Sequence, residues 1–480
     1  MLVYFLSTAL TEHGLTYIIK KGERVHSNKT YKIMSERKII INCISQQIMK
    51  TIINAKIYDY DTFIENGYCI FDDKIIEIGQ MDDFPGTGDS DEIIDGKNKL
   101  LIPGLINFHT HIYSTLVRGA SIPFNPKSFR DILEQLWWKF DSKLDNETAF
   151  HSAMVYGLES LRSGVTSLID HHASGLEILG SLSALKRAIV DTLGMRGVFC
   201  FETSDRFNVE ECLEENLNGL KFNSSDAKGM FGLHASMSLS AETLEKVQKV
   251  LGDTPIHVHV AESKEDEEDS VSKYGISVIE RYKKYNLLNP NSILAHCVHI
   301  NDAEAEIIGK SGAYIALNPT SNMNNAVGTF NINLFKKHQI PLLIGTDGLG
   351  TNIAKEWTNL YYVGKAGLKD PVGIGLDEIR KYIVGSYEFF SKLMDVKIGK
   401  IQKGYEADLL LVDYHHPTPI DSSNAFGHLF FGLFDNFKPS WVFVKGKTLI
   451  RDYVSIFNEA EIYSNAREAA IKLWQRLGGK

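Results

Sequence analysis

Between residues 104 and 348 the chain repeats one pattern. A short apolar run, rich in Val and Ile, closes on polar or ionisable residues, and a stretch with helical character usually follows. The runs are "GLINFHTH", "GVTSLIDHH", "RGVFCFETSD", "GMFGLHAS", "IHVHVAES", "SILAHC", "AYIALNPTSN" and "PLLIGTDG". Apolar strands alternating with helices predict a parallel sheet. Eight such βα units can close into a (β/α)8 TIM-like barrel, whose active sites sit at the C-terminal strand ends. Here those ends carry His109, His111, His171, His172, Glu202, His234, His259, Glu262, His296, Asn318 and Asp347. Random placement would scatter such residues through helices and loops.

The flanks have a different texture. Residues 51–103 read as short strands with turns, and the Asp-Asp and Asp-Gly pairs look like hairpin turns. "EADLLLVDYHHPTPI" and "SWVFVKGKTLIRD" repeat the strand–turn–strand pattern near the other end. Chain termini often lie close together, so the two pieces could meet as one small β domain. The expected boundaries are 49–103 with 395–455 for that domain, 104–394 for the barrel and 456–480 for a C-terminal helix. Residues 1–48 show no sustained period. They read as an appendage or a start-site artefact, with a divergent extension as the equal alternative.

Composition narrows the class. The 480 residues are 44% hydrophobic and 23% charged, ordinary for a soluble globular protein. A net charge of −9 argues against nucleic acid as a partner, since such surfaces are usually basic. No apolar run is long enough to cross a membrane, and the N-terminal apolar segment lacks the basic region of a signal peptide. Five widely spaced cysteines with no CxxC suggest reduced thiols in a cytoplasmic protein.

His109 and His111 lie two apart on a strand and so share a face. Alone the pair is a weak signal. His259 ends the fifth strand beyond His257, and Asp347 ends the eighth. Each histidine taken singly reads as a hydrogen-bonding group in a polar barrel mouth. His109, His111, His259 and Asp347 together read as three imidazoles and a carboxylate around one divalent ion, with room for water. Such an ion lowers the pKa of its water to roughly 7. Glu262, three residues past His259, could shuttle the proton, against a plain reading as a surface glutamate. The acidic run beyond it, "SKEDEEDS", reads as a solvated helix start.

His296 could steady a developing oxyanion. His234 is a candidate substrate contact, with a satisfied hydrogen-bonding role as rival. His171, His172 and Arg118 carry no firm role. Trp137 and Trp138 read as helix packing, on an insertion after the first strand that could cover the site. Cys297 reads as a small buried residue, His299 as loop furniture, and His415 and His416 as structural. "GTDGLGTN" lacks the Lys-Ser/Thr of a phosphate loop.

"PGLINFHTH", "HVHVAES", "AHCVHI", "NPTSN" and "GTDG", in this order, resemble the amidohydrolase superfamily, most closely its mononuclear deaminases and chlorohydrolases. The resemblance runs from about Met49 to the C-terminus. "FHTHIYSTLVRG", "LIDHHAS", "LHASMSLS", "NPTSNMNNAVG" and "TPIDSSNAFGHLFFG" are similar to the SsnA-type aminohydrolases. The resemblance implies a (β/α)8 barrel with a composite β-sandwich built from both chain ends, 49–103 and 395–455, and Zn²⁺ or Fe²⁺ held by His109, His111, His259 and Asp347. It gives Glu262 and His296 to the reaction, a proton relay to Asp347 and a place against the substrate to His234.

The expected activity is deamination of an amino-substituted heterocycle with release of ammonia. The expected partner is that small molecule; a homo-oligomer stays open. Dechlorination on the same site is a rival. So is cyclic-amide hydrolysis, although the bridging lysine of that binuclear group is missing from "GLHASM". A non-catalytic binding or regulatory barrel is a third, and the intact ligand set argues against it.

Overall fold

All eight apolar runs fold as strands, each almost wholly buried. They are β1 (Leu105–Thr110), β2 (Val165–His172), β3 (Arg196–Phe201), β4 (Phe231–Ala235), β5 (Ile256–Val260), β6 (Ile293–His296), β7 (Tyr314–Leu317) and β8 (Leu342–Ile344). Burial on both faces is why these runs are near-continuously apolar and do not alternate. The computed structural model describes residues 4–11, 14–21, 49–87 and 92–478. Contacts divide the chain into residues 1–48 and residues 49–480. In the first unit, Tyr4–Thr11 and Gly14–Lys21 pair as an antiparallel hairpin. The rest of the segment expected to be an appendage lies outside the described residues.

In the second unit every neighbouring pair within β1–β2–β3 and within β4–β5–β6–β7–β8 is parallel. Isolated parallel bridges, Thr203 to Leu233 and Thr110 to Asp347, join the two arcs at both seams. At the second seam the amides of Thr346 and Asp347 both donate to the His109 carbonyl at 3.0 Å. Gly345 permits this approach, because a Cβ there would sit 2.5 Å from the His109 carbonyl oxygen and 2.6 Å from Asn318 Oδ1.

A nine-stranded sheet draws on both flanks. Leu409–Asp413 pairs antiparallel with Lys99–Pro103 on one side and Trp441–Val444 on the other. Lys50–Tyr58 then continues the sheet to Phe63–Phe71 and Ile75–Gln80. Ile52, Phe71, Leu101, Leu409, Leu411 and Phe443 form a core of their own here. Asp72-Asp73 is a hairpin turn as expected. Asp95-Gly96 is not: Glu92–Asp95 pairs parallel with Lys50–Tyr58 rather than with the strand that follows it. Fully buried Arg196, at the start of β3, bonds Asp408 and Glu406 beside Leu409–Asp413. A buried triad of this kind is expensive to break, so it pins the strand to the nine-stranded sheet.

The C-terminal helix is Glu459–Arg476, capped by Asn458. Arg162–Glu459, Lys472–Glu147 and Arg476–Asp145 ion pairs tie it to the helix Asn146–Arg162. Cys69, Cys200, Cys212 and Cys297 are free and buried. Among the described residues no helix is long and apolar enough to cross a membrane.

Candidate active site

The C-terminal strand ends converge on one cluster. His111 and His259 present their Nε2 atoms to each other at 3.0 Å. Each ring is held from behind. His111 Nδ1–H donates to the His171 carbonyl at 2.7 Å, and His259 Nδ1–H donates to the His234 carbonyl at 2.8 Å. A carbonyl only accepts, so both Nε2 atoms are left with lone pairs pointing inward. Asp347 Oδ1 lies 3.0 Å from His111 Nε2 and 3.4 Å from His109 Nε2. His109 Nε2 is buried with no hydrogen-bond partner, while its Nδ1 meets His257 Nε2 at 2.9 Å.

Two lone pairs cannot face each other at 3.0 Å without positive charge between them. Titration expresses the same demand. Burial pushes His109 down to about 4 and holds His259 well below its ordinary value. Burial also opposes charge on His111, but Asp347 outweighs it and raises that ring to about 9. Asp347, although buried, is held well below the usual carboxylate range by hydrogen bonds from His109 and His111. The donor set of imidazole nitrogens and one carboxylate fits a divalent ion. A group of four donor atoms within 4.8 Å of one another comprises His109, His259, His296 and Asp347, and a second comprises His111, His171 and His259. His296 therefore stands close enough to compete with His111 as a ligand.

Glu262 is not a surface residue. Its side chain is 13% exposed and lies 3.5 Å from His296 Nε2. Burial raises its pKa above the ordinary value, with His296 opposing. The acidic run beyond it is not simply a solvated helix start. Asp266 is 3% exposed, and its carboxylate accepts from the Met237 and Ala261 amides, joining the ends of β4 and β5.

The helix Pro319–Asn324 and its C-terminal cap follow β7 and hold three of these groups. Ser321 Oγ donates to Asp347 Oδ2. Asn322 Oδ1 accepts from His296 Nδ1 at 2.9 Å, and Asn325 Nδ2 donates to Glu262 Oε1 at 3.1 Å. Glu356 anchors the helix by accepting from the Thr320 amide and hydroxyl. Sequence reasoning missed Ser321, Asn322 and Asn325. Their signal was the polar stretch "NPTSNMNN" immediately after an apolar strand. Four non-glycine residues nearby, Ala261, His296, Cys297 and Asp347, have φ between 44° and 73°. Left-handed backbone is strained for such residues and clusters at functional sites.

Beyond the histidines the strand ends open into a cleft. The insertion after β1 forms its far wall, bringing Phe129, Leu133, Trp137, Trp138 and Asp141 to the space. The two tryptophans thus face the cleft as well as packing a helical segment. His234 lines the same space, with Nδ1 bonded to Ser238 Oγ. Glu202 lines it too and is pushed up to about 8, mainly by burial. Arg206 bonds both Glu202 and Asp141. Asp141 had no signal in the sequence. His172 is buried away from the cleft lining, and Arg118 pairs with Glu159 at the surface. Cys297 is buried, and His299 meets the Val327 carbonyl at 2.6 Å. His415 and His416 follow the strand Leu409–Asp413.

The chain is similar to known proteins over most of its length. A 5′-deoxyadenosine deaminase of Methanococcus maripaludis is 29% identical over 416 residues, covering 83% of this chain and 94% of that protein. A 5-methylthioadenosine/S-adenosylhomocysteine deaminase of Syntrophomonas wolfei is 27% identical, covering 86% and 96%. The crystal structure of a zinc-bound adenosine deaminase from Xanthomonas campestris superposes with a TM-score of 0.76 at 19% identity, covering 89% of this chain and 98% of that one. The model of the Amidohydrolase family matches residues 100–449. With the strand-end histidines and aspartate in place, that match identifies the chain as a member of the amidohydrolase family.

Proposed function

We propose that this chain is a metal-dependent aminohydrolase that removes the amino group of a purine nucleoside as ammonia. The carrying observation is the inward pair of lone pairs on His111 and His259 beside Asp347 and an unpartnered His109 Nε2. His109, His111, His259 and Asp347 would hold one Zn²⁺ or Fe²⁺. When bound, such an ion makes water at the site a competent nucleophile near neutral pH.

The chain's own groups supply the rest. Glu262, raised by burial, suits a carboxyl that takes a proton from water and passes it to a ring nitrogen. Asn325 holds one of its oxygens, leaving Oε2 to work beside His296. His296, anchored at Nδ1 by Asn322, would steady the oxygen that develops on the ring carbon by donating to it from a protonated Nε2. Asp347, bonded by Ser321, relays a proton to departing ammonia. His234 lies against the substrate, and Trp137 and Trp138 shield the reaction from water.

The named activities of the relatives and the fold of the zinc-bound adenosine deaminase support this reading. They also support a closed (β/α)8 barrel over 104–394, in keeping with the two bridged seams. We read the nine-stranded sheet as the composite β-sandwich of 49–103 and 395–455, and residues 1–48 as an appendage. The test is ammonia release from purines, pyrimidines, pterins and triazines by protein purified with its metal, alongside elemental analysis. Near one metal per chain with turnover of an aminopurine nucleoside is expected. Two metals at full occupancy, or turnover of cyclic amides alone, would overturn the proposal.

A further inference from the structure

Among the described residues, five carboxylates line the cleft, Asp141, Glu202, Glu262, Asp266 and Asp347, and no lysine or arginine does. Asp347 and Glu262 belong to the reacting side, and Asp266 is spent on two backbone amides. Asp141 remains at the aromatic end, and Glu202 stands between it and the histidines, with an oxygen within 4.8 Å of ring nitrogens of His234 and His259. Arg206 stands behind them. It donates to Asp141 Oδ2 at 2.7 Å and to Glu202 Oε1, and its guanidinium lies 5.1 Å from the Trp138 ring centroid. One guanidinium is thus shared by two buried carboxylates. Acceptor capacity is left over. Asp141 is 1% exposed, and its Oδ1 is buried with no partner. The nearest ring nitrogen to Glu202 Oε2 is His171 Nδ1, at 3.7 Å.

We propose, resting on the deaminase reading above, that this end of the cleft selects the substrate's tail by charge. Tails bearing hydroxyl or ammonium groups are accepted against Asp141 and Glu202, and tails bearing phosphate are excluded. An anion there would find the one nearby guanidinium already bonded to two acids and no lysine or arginine among the described residues of the cleft lining, in a water-poor site where an uncompensated charge is costly. To receive it, Arg206 would have to leave two buried partners. A donor that reaches Asp141 instead meets a buried Oδ1 with no partner of its own, beside the rings of Trp137 and Trp138.

Three compounds with one ring and different 5′ groups test this on the metal-loaded protein: 5′-deoxyadenosine, 5′-amino-5′-deoxyadenosine and adenosine 5′-phosphate. Ammonia release gives kcat/KM, and calorimetry gives Kd for each. The neutral and ammonium compounds should exceed the phosphate by about 10²-fold in both measures. Asp141→Asn and Glu202→Gln should each narrow that gap by about tenfold. Glu202→Gln carries the comparison should Asp141→Asn not fold. A phosphate compound handled as well as the ammonium compound overturns the inference, as does failure of the ammonium compound to bind. If none of the three releases ammonia while ammonium still binds over phosphate, the deaminase reading falls and charge selection stands.

Discussion

The two walls of the cleft are built by different rules. On the histidine wall the inward-facing groups are fastened from behind: His111 and His259 by backbone carbonyls, His296 by Asn322, Glu262 by Asn325 and Asp347 by Ser321. These groups sit at or just past strand ends, so neighbouring hydrogen-bonded strands fix their spacing. The opposite wall is an insertion of aromatic residues, Trp137 and Trp138, and an ion cluster, Asp141–Arg206–Glu202, with an acceptor left unpaired. The contrast teaches where each property is held. In the reading proposed above, reaction chemistry rests on the strand ends, and discrimination between substrates rests on the insertion after β1 together with Glu202 and Arg206 just past β3.

Asp347→Ala offers the hardest break. It removes the one carboxylate facing two imidazoles, and both metal content and turnover should be lost while the far wall still binds ligand. Elemental analysis and calorimetry on the same preparation read both. Retention of a full metal equivalent would move the ion to the group that includes His171.

Glu262→Gln should come next. It keeps size and polarity but cannot cycle a proton, so kcat should fall by about 10²–10⁴-fold with metal retained. Loss of metal instead would make Glu262 a ligand. Near-normal turnover would remove it from the mechanism.

Arg206→Met asks whether the far wall is merely a surface. Breaking a buried charge cluster costs about 3–5 kcal/mol, so the midpoint of chemical denaturation should drop sharply. Metal affinity of the folded fraction should hardly change. An unchanged midpoint would mean that Asp141 and Glu202 are not charged together in the folded state.

Asn325→Ala should give the smallest effect and sharpen the comparison most. Glu262 loses the bond that orients it but keeps its own chemistry. We expect about a tenfold loss in kcat, little change in KM and partial recovery in Asn325→Gln. An equal loss in KM would place Asn325 against the substrate rather than behind Glu262.

Much of this was written in the chain. Eight apolar runs ending in polar or ionisable residues foretold eight parallel strands, because strands buried on both faces must be apolar throughout and can carry chemistry only where they end. His109 and His111 share a face by the two-residue period alone. Three-residue spacing placed Glu262 beyond His259. The failures are equally physical. Asp266 looked like one more acid in a solvated run, and only the folded ends of β4 and β5 offered two amides for it to cap. Asp95-Gly96 looked like a hairpin turn, but strand pairing is chosen by the whole sheet. Ser321, Asn322 and Asn325 stood in a motif with no stated task, because a positioning hydrogen bond has a partner in another strand, unmarked by local spacing. The Asp141–Arg206–Glu202 cluster spans 65 residues between Asp141 and Arg206. Periodicity reports which face of its own element a residue occupies, whereas charges so far apart in the chain become neighbours only through the packing of the insertion over the sheet.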